Sequence, residues 1–423
     1  MVPPESRRGY NCQVDETPLN PSPAEPAVEL PYSPAIMAQP VASRRALAGL
    51  FLSGLFLAFP GVILVAWDYH RSSDYAAMGL YFLFMNLGVL AAVQSARLLL
   101  KKRGIKTLLA SGCLLAAACL IVLAFTPPPA PVGWRWAALF GMGAAAGLLN
   151  AGVFQLLAVA YERAPAATMN LAGILFGGGC LAGCLLVGAG IGTYGLWLPV
   201  ALFAVVSAGY GLWYLRRPFP AAIIPDKVPT SRAVEAFRSP AAILLALLLF
   251  FQFGSEWAIA AWLPLFLVQR LGVSPGAGLW LLSLYWLAIV LGRILIQPLL
   301  QRFRHGRLLM SSVLAALFGC MILAFTNNLP GAGVAVVATG LGFAAVYPLV
   351  VERVGARFSY YHPVYFNGIF SVAFTGGLLA PWLVGMLASG MGIGAVMLVA
   401  VVGTLAVFVL LILIWIESKL NPL

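Results

Sequence analysis

Apolar runs long enough to cross a bilayer recur along this chain, and no other feature restricts its fold as strongly. A helix rises about 1.5 Å per residue, so a hydrocarbon core about 30 Å thick needs about 20 residues. Such runs cover 46–67, 75–98, 106–126, 134–160, 168–190, 194–215, 241–268, 277–300, 308–326, 332–354, 364–389 and 392–416. Turn-forming clusters separate them: Thr126-Pro-Pro-Pro-Ala-Pro131, Arg216-Arg-Pro-Phe-Pro220, Val273-Ser-Pro-Gly276 and Asn327-Asn-Leu-Pro-Gly331. The tightest connection is Gly190-Ile-Gly-Thr-Tyr-Gly195. Lipid offers backbone groups no hydrogen bonds, so these runs read as helices. The predicted fold class is an all-α membrane protein: twelve transmembrane helices in two six-helix, pseudo-symmetric halves.

Charge argues the same way. Of 423 residues, 62% are hydrophobic and only 9% charged. Soluble domains carry about 25% charged residues, so lipid must solvate most of this exterior. The net charge of +12 would suit nucleic acid if it gathered on one polar face. Instead it falls in clusters between apolar runs. One face receives Arg44, Arg45, Arg97, Lys101–Arg103, Lys106, Arg163, Arg216, Arg217, Lys227, Arg232, Arg238, Arg302, Arg304, Arg307, Arg353, Arg357 and Lys419. The other receives Arg71, Arg135 and Arg270. The positive-inside rule makes the basic face cytoplasmic, with both termini on it. The expected location is a bacterial cell inner membrane.

The expected layout is a disordered cytoplasmic tail over 1–42, a six-helix bundle over 43–215, a cytoplasmic linker over 216–240, a second bundle over 241–416 and a short tail over 417–423. Ser231–Arg238 forms a short amphipathic stretch suited to the membrane interface. A break into six plus six helices suits a transporter that rocks around a central site. Five of six cysteines lie in apolar runs and none forms a CxxC pair. His70, His305 and His362 lie apart, with no metal spacing. No Gly-rich phosphate loop with its lysine occurs. An enzyme is not expected, nor is a cofactor. The expected partners are a small-molecule substrate and the bilayer, with the chain a monomer and no nucleic acid bound.

Polar residues inside apolar runs mark candidate sites, because a carboxylate facing lipid is costly. Glu256 lies well inside the seventh run and can bind solute, exchange protons or bond permanently to a neighbouring helix. Gln252, Asn150, Gln155 and Asn367 can supply hydrogen bonds. Trp257, Trp262, Trp286, Trp67 and Tyr347 can wall a cavity, although aromatics also anchor membrane interfaces. Asp68 sits at the outer end of the first run, where it can cap the helix, pair with Arg71 or meet solute. Arg293 is the other deep charge. Counted from the cytoplasmic ends of their helices, it and Glu256 differ in height by roughly 12 Å. A pair with Glu256 on the adjacent helix is possible, but this height difference assigns Arg293 to the cytoplasmic gate with Arg302, Arg304 and Arg307, with direct anion binding as the alternative. Gly141, Gly143 and Gly147, and Gly177, Gly178, Gly179 and Gly183, are read as close-packing surfaces.

Several motifs carry a family resemblance over about 45–416. They are Gln94-Ser-Ala-Arg97 with Lys101-Lys-Arg-Gly104, Gly292-Arg293 with Arg302-Phe-Arg-His-Gly-Arg307, Gly141-Met-Gly-Ala-Ala-Ala-Gly147 with Asn150, Gly254-Ser-Glu-Trp257, Gly340-Leu-Gly-Phe-Ala-Ala-Val-Tyr-Pro348 and Gly376-Gly-Leu-Leu-Ala-Pro-Trp382. In these the chain resembles the major facilitator superfamily, and within it the fucose–glucose–galactose proton-symporter group. The resemblance implies solute movement by alternating access, often coupled to protons. One departure matters: the fourth run is neutral between Trp136 and Tyr161, where proton-coupled members resemble one another in carrying an acid. Import of a small polar solute, a sugar by resemblance, is the leading expectation, with symport and uniport both open. Export of amphipathic metabolites, drugs or lipids, and a non-transporting sensor, stand as alternatives.

Overall fold

The computed structural model describes residues 43–163, 165–221, 239–357 and 369–420. The 1–42 tail, the 231–238 stretch, His362 and Asn367 lie outside the described residues. Among those residues every long element is helical and no strand occurs. The helices are α1 (Ala48–Ala66), α2 (75–103), α3 (105–125), α4 (Val132–Arg163), α5 (Pro165–Gly190), α6 (Trp197–Arg216), α7 (Pro240–Leu271), α8 (Pro275–Arg302), α9 (His305–Phe325), α10 (Leu329–Arg357), α11 (Ile369–Met391) and α12 (Ala395–Leu420). Among the described residues, eleven helical runs are long and apolar enough to span a membrane. The 51-residue run Tyr75–Phe125 is two spans in one, because Gly104 interrupts it at φ 75° and ψ 176°. Twelve crossings put residues 43 and 420 on the same face.

Local chemistry sets the helix ends. Asp74 caps α2 by accepting from the Ala77 amide at 3.1 Å. Ser274 caps α8 through the Ala277 amide at 3.2 Å, and Pro275 follows in the first turn. Gly272 ends α7 in the left-handed conformation that a Cβ disfavours. The tight connection after α5 is a run of turns over 191–196, with Gly195 at φ 64°.

Two bundles follow from the contacts. In the first, α1 packs on α4 and α5, while α2 and α3 pack on α4 and α6. In the second, α7 packs on α11 and α12, α8 on α10, and α9 on α10 and α12. The bundles meet along α2 with α11, α5 with α8, α1 with α7 and α5 with α10.

Matched glycine contacts reveal an internal repeat. Gly179 of α5 lies where a Cβ would run into the Phe51 carbonyl of α1, and Gly376 of α11 faces the Phe250 carbonyl of α7 likewise. Gly143 of α4 meets the Met85 carbonyl of α2, and Gly340 of α10 meets the Tyr285 carbonyl of α8. Each second-half residue lies about 200 positions after its counterpart, so both halves build the same joints from the same residue type. Close approach through glycine replaces the hydrophobic effect, which is absent between helices in lipid.

Candidate functional site

Glu256 sits halfway along α7 and is 4% exposed. Its Oε1 lies 4.0 Å from Nη2 of Arg293, itself 7% exposed. Gln252, one turn earlier, donates from Nε2 to Oε2 of Glu256 at 3.4 Å. Tyr285 of α8 donates its hydroxyl to the Glu256 main-chain oxygen at 3.2 Å. Glu256 is thus tied to α8 at two places, by its carboxylate to Arg293 and by its main-chain oxygen to Tyr285.

The proximity of Arg293 corrects the height estimate. That estimate ran from the cytoplasmic ends of two helices of unequal length. Counted from the turn they share, Glu256 lies 15 residues before Leu271 and Arg293 lies 18 after Pro275. The difference is about 5 Å, which an arginine side chain spans. Arg302, Arg304 and Arg307 are exposed at the α8–α9 turn. Arg293 lies about 13 Å along the helix from Arg302, so it stands apart from that cluster.

Arg293 also reaches the first half. A Cβ on Gly173 of α5 would overlap its guanidinium, so glycine there makes room for the charge. Asn170, one turn before Gly173, donates from Nδ2 to the Arg293 carbonyl at 2.7 Å. The Glu256–Arg293 pair therefore lies on the seam between the halves. Asn170, Gly173 and Tyr285 are absent from the sequence-derived set. Asn170 carried the same signal as Asn150, a polar residue inside an apolar run.

Several buried polar atoms here lack a hydrogen-bond partner among the described residues: Arg293 Nε, Gln252 Oε1, Asn170 Oδ1 and Trp286 Nε1. Such atoms are costly unless something completes them. The set holds donors and acceptors in equal measure, beside one cation and one anion. Aromatic faces border it. Trp257 packs edge-on to Trp286, with ring centres 5.9 Å apart, and to Phe176 of α5 at 6.0 Å.

Other candidates fall elsewhere. Trp262 is fully buried and donates to the Pro381 carbonyl of α11 at 2.8 Å. Its rings meet Phe82 and Tyr75, so it fastens helices. Tyr347 stacks at a tilt on Phe253, 5.0 Å between centres, and its hydroxyl meets Met169 Sδ at 3.6 Å. Asn150 and Gln155 are half-buried on α4, and Asn150 Oδ1 is buried without a partner among the described residues. Asp68 is exposed in the α1–α2 turn, 3.8 Å from His70 and 3.9 Å from Arg71. Trp67 lies under Arg135, whose guanidinium carbon is 5.8 Å from the ring centre. Arg135 is 6% exposed, so this residue of the sparsely charged face points inward.

The family model described as Major Facilitator Superfamily matches residues 164–361 and 245–422, together more than half of the chain. No curated protein matches the sequence. Among solved structures, the E. coli fucose:proton symporter FucP, as a variant, aligns with a TM-score of 0.61 and 16% identity, covering 89% of this chain and 99% of that one. FucP in the outward conformation gives a TM-score of 0.61 at 15% identity, with the same coverages. The nucleoside transporter NupG, also a variant, gives a TM-score of 0.65 at 14% identity, covering 89% and 99%.

Proposed function

We propose, from the premise that this chain belongs to the Major Facilitator Superfamily, that it carries a small, neutral, hydroxyl-bearing solute across the bacterial inner membrane. The chain is a multi-pass membrane transporter and not an enzyme. The substrate class is our reading. A single observation carries it: the buried Glu256–Arg293 pair lies on the seam between the halves, ringed by unmet donors and acceptors. The local charges balance, so a neutral solute suits the site better than an ion. A hydroxyl both donates and accepts, so it can complete Arg293 Nε and Asn170 Oδ1 together. The aromatic faces of Trp257 and Trp286 suit the C–H surface of a sugar ring. Fucose and nucleosides, named for the fold neighbours, belong to the same chemical class.

We assign Glu256 as the coupling carboxylate, in place of the acid missing from α4. In the pair it balances Arg293. When solute takes over the hydrogen bonds of Arg293, Glu256 loses its counter-ion and can take up the coupled proton. The basic face is cytoplasmic in this reading, and the functional unit is a monomer. A thermal-stability screen of the purified protein against monosaccharides and nucleosides should find a stabilising solute. Proteoliposomes should then accumulate that solute under an inward proton gradient and lose it on adding a protonophore. Equilibration without accumulation would reject symport. Absence of any stabilising solute in the panel would reject the substrate class.

A further inference from the structure

Gln269, two residues before the end of α7, commits both the oxygen and the nitrogen of its side-chain amide to the opposite half. Its Oε1 accepts from the Tyr75 hydroxyl of α2 at 2.9 Å. Its Nε2 donates to the main-chain oxygens of His70 at 3.0 Å and Ser72 at 3.2 Å. Those carbonyls belong to the short connection between α1 and α2. Asp68 opens that connection at φ 58°, a left-handed conformation that Asp tolerates better than most residues. One turn of 3-10 helix, Tyr69–Arg71, follows. Tyr69 pins it to α2 by a 2.6 Å hydroxyl contact with Tyr81. The turn is therefore fixed to the first half and holds two carbonyls toward the second.

The same face is closed deeper down. Gly61 of α1 lets the Ala260 and Ala261 carbonyls of α7 approach, with 2.9 Å left for a Cβ. Gly79 of α2 and Gly385 of α11 meet closely: a Cβ on Gly385 would lie 2.7 Å from the Tyr75 carbonyl oxygen, and one on Gly79 3.1 Å from that of Trp382. These contacts are apolar or through backbone and can slide. Gln269 adds three directional bonds, which must all break before the halves can part on this face.

We propose that Gln269 is the latch of this face: its bonds to the 70–72 carbonyls and Tyr75 set how often the solute path opens there. The proposal rests on the transport reading, and it gives Asp68 a backbone role, shaping the turn that receives the latch. It is tested by thiol accessibility, which needs no solute. Met78, one turn below Tyr75, is 1% exposed and takes no part in the site. A Met78→Cys protein in proteoliposomes is treated with a membrane-impermeant maleimide on the latch face, and mass spectrometry follows labelling at residue 78. Adding Gln269→Leu should speed labelling about tenfold or more, and adding Tyr75→Phe about two- to tenfold, the factors that a few and one net hydrogen bonds carry. Unchanged labelling in a Gln269→Leu protein of wild-type thermal stability overturns the latch. Should that variant not fold, unchanged labelling with Tyr75→Phe overturns it equally. Faster labelling with no flux of any solute keeps the latch and rejects the transport reading. Unchanged labelling with intact flux does the reverse.

Discussion

Removing one member of a buried ion pair strands the other's charge in a medium that cannot solvate it. Glu256→Gln should therefore lower stability by about 3 to 5 kcal/mol, and Arg293→Met by a similar amount. The double variant should cost clearly less than the sum, since neither charge is left alone. Thermal unfolding in one detergent checks this, and strictly additive losses would show that the two charges do not interact. Glu256 itself was legible in the sequence, because an acid within an apolar run has few alternatives. Its pairing with Arg293 was legible only as a possibility beside the gate assignment. Pairing depends on the turn from which both helices are measured, and an error of several residues at helix ends moves a side chain by a full turn. Trp262 shows the same gap: its aromatic character was visible, but the Pro381 carbonyl that takes its N–H was not.

Helix against helix, the joints are glycine meeting backbone. Gly179→Leu and Gly376→Leu should each lower thermal stability by about 1 to 3 kcal/mol or more, since overpacking forces backbone apart. Gly209 of α6 has nothing within 4 Å of a Cβ, so Gly209→Leu should be neutral and serves as the control. Equal losses at all three positions would contradict the proposed joints. Gly104 is a different case. It too has open space around it, but φ 75° with ψ 176° penalises any Cβ, and Gly104→Ala should cost about 1 to 3 kcal/mol through backbone strain alone. Helix existence was legible from hydropathy and turn residues, down to the tight connection after Gly190. The glycine-rich stretches were legible as packing surfaces. Which glycine meets a carbonyl was not: Gly179 touches the Phe51 backbone while its neighbour Gly178 meets only the Phe51 ring. Three residues in a row point in three directions on a helix, and sequence alone does not say which direction holds a neighbour.

As a whole, the molecule places one charged pair on the seam of two bundles that repeat the same joints. The Gln269 latch and the glycine contacts beneath it close one end of that seam. Arg293 against Gly173 and Asn170 holds the seam at the level of the pair. Alternating access follows if the bundles rock about this level, with solute replacing bonds the pair makes in its absence. Solute counterflow in proteoliposomes tests this most directly. Vesicles preloaded with an unlabelled monosaccharide or nucleoside receive a trace of the same solute in labelled form, with no ATP present. A transient overshoot is expected for at least one such solute, abolished in Arg293→Met and strongly reduced in Glu256→Gln. An overshoot that survives both substitutions unchanged, or none with any solute in folded protein, would contradict alternating access about the pair.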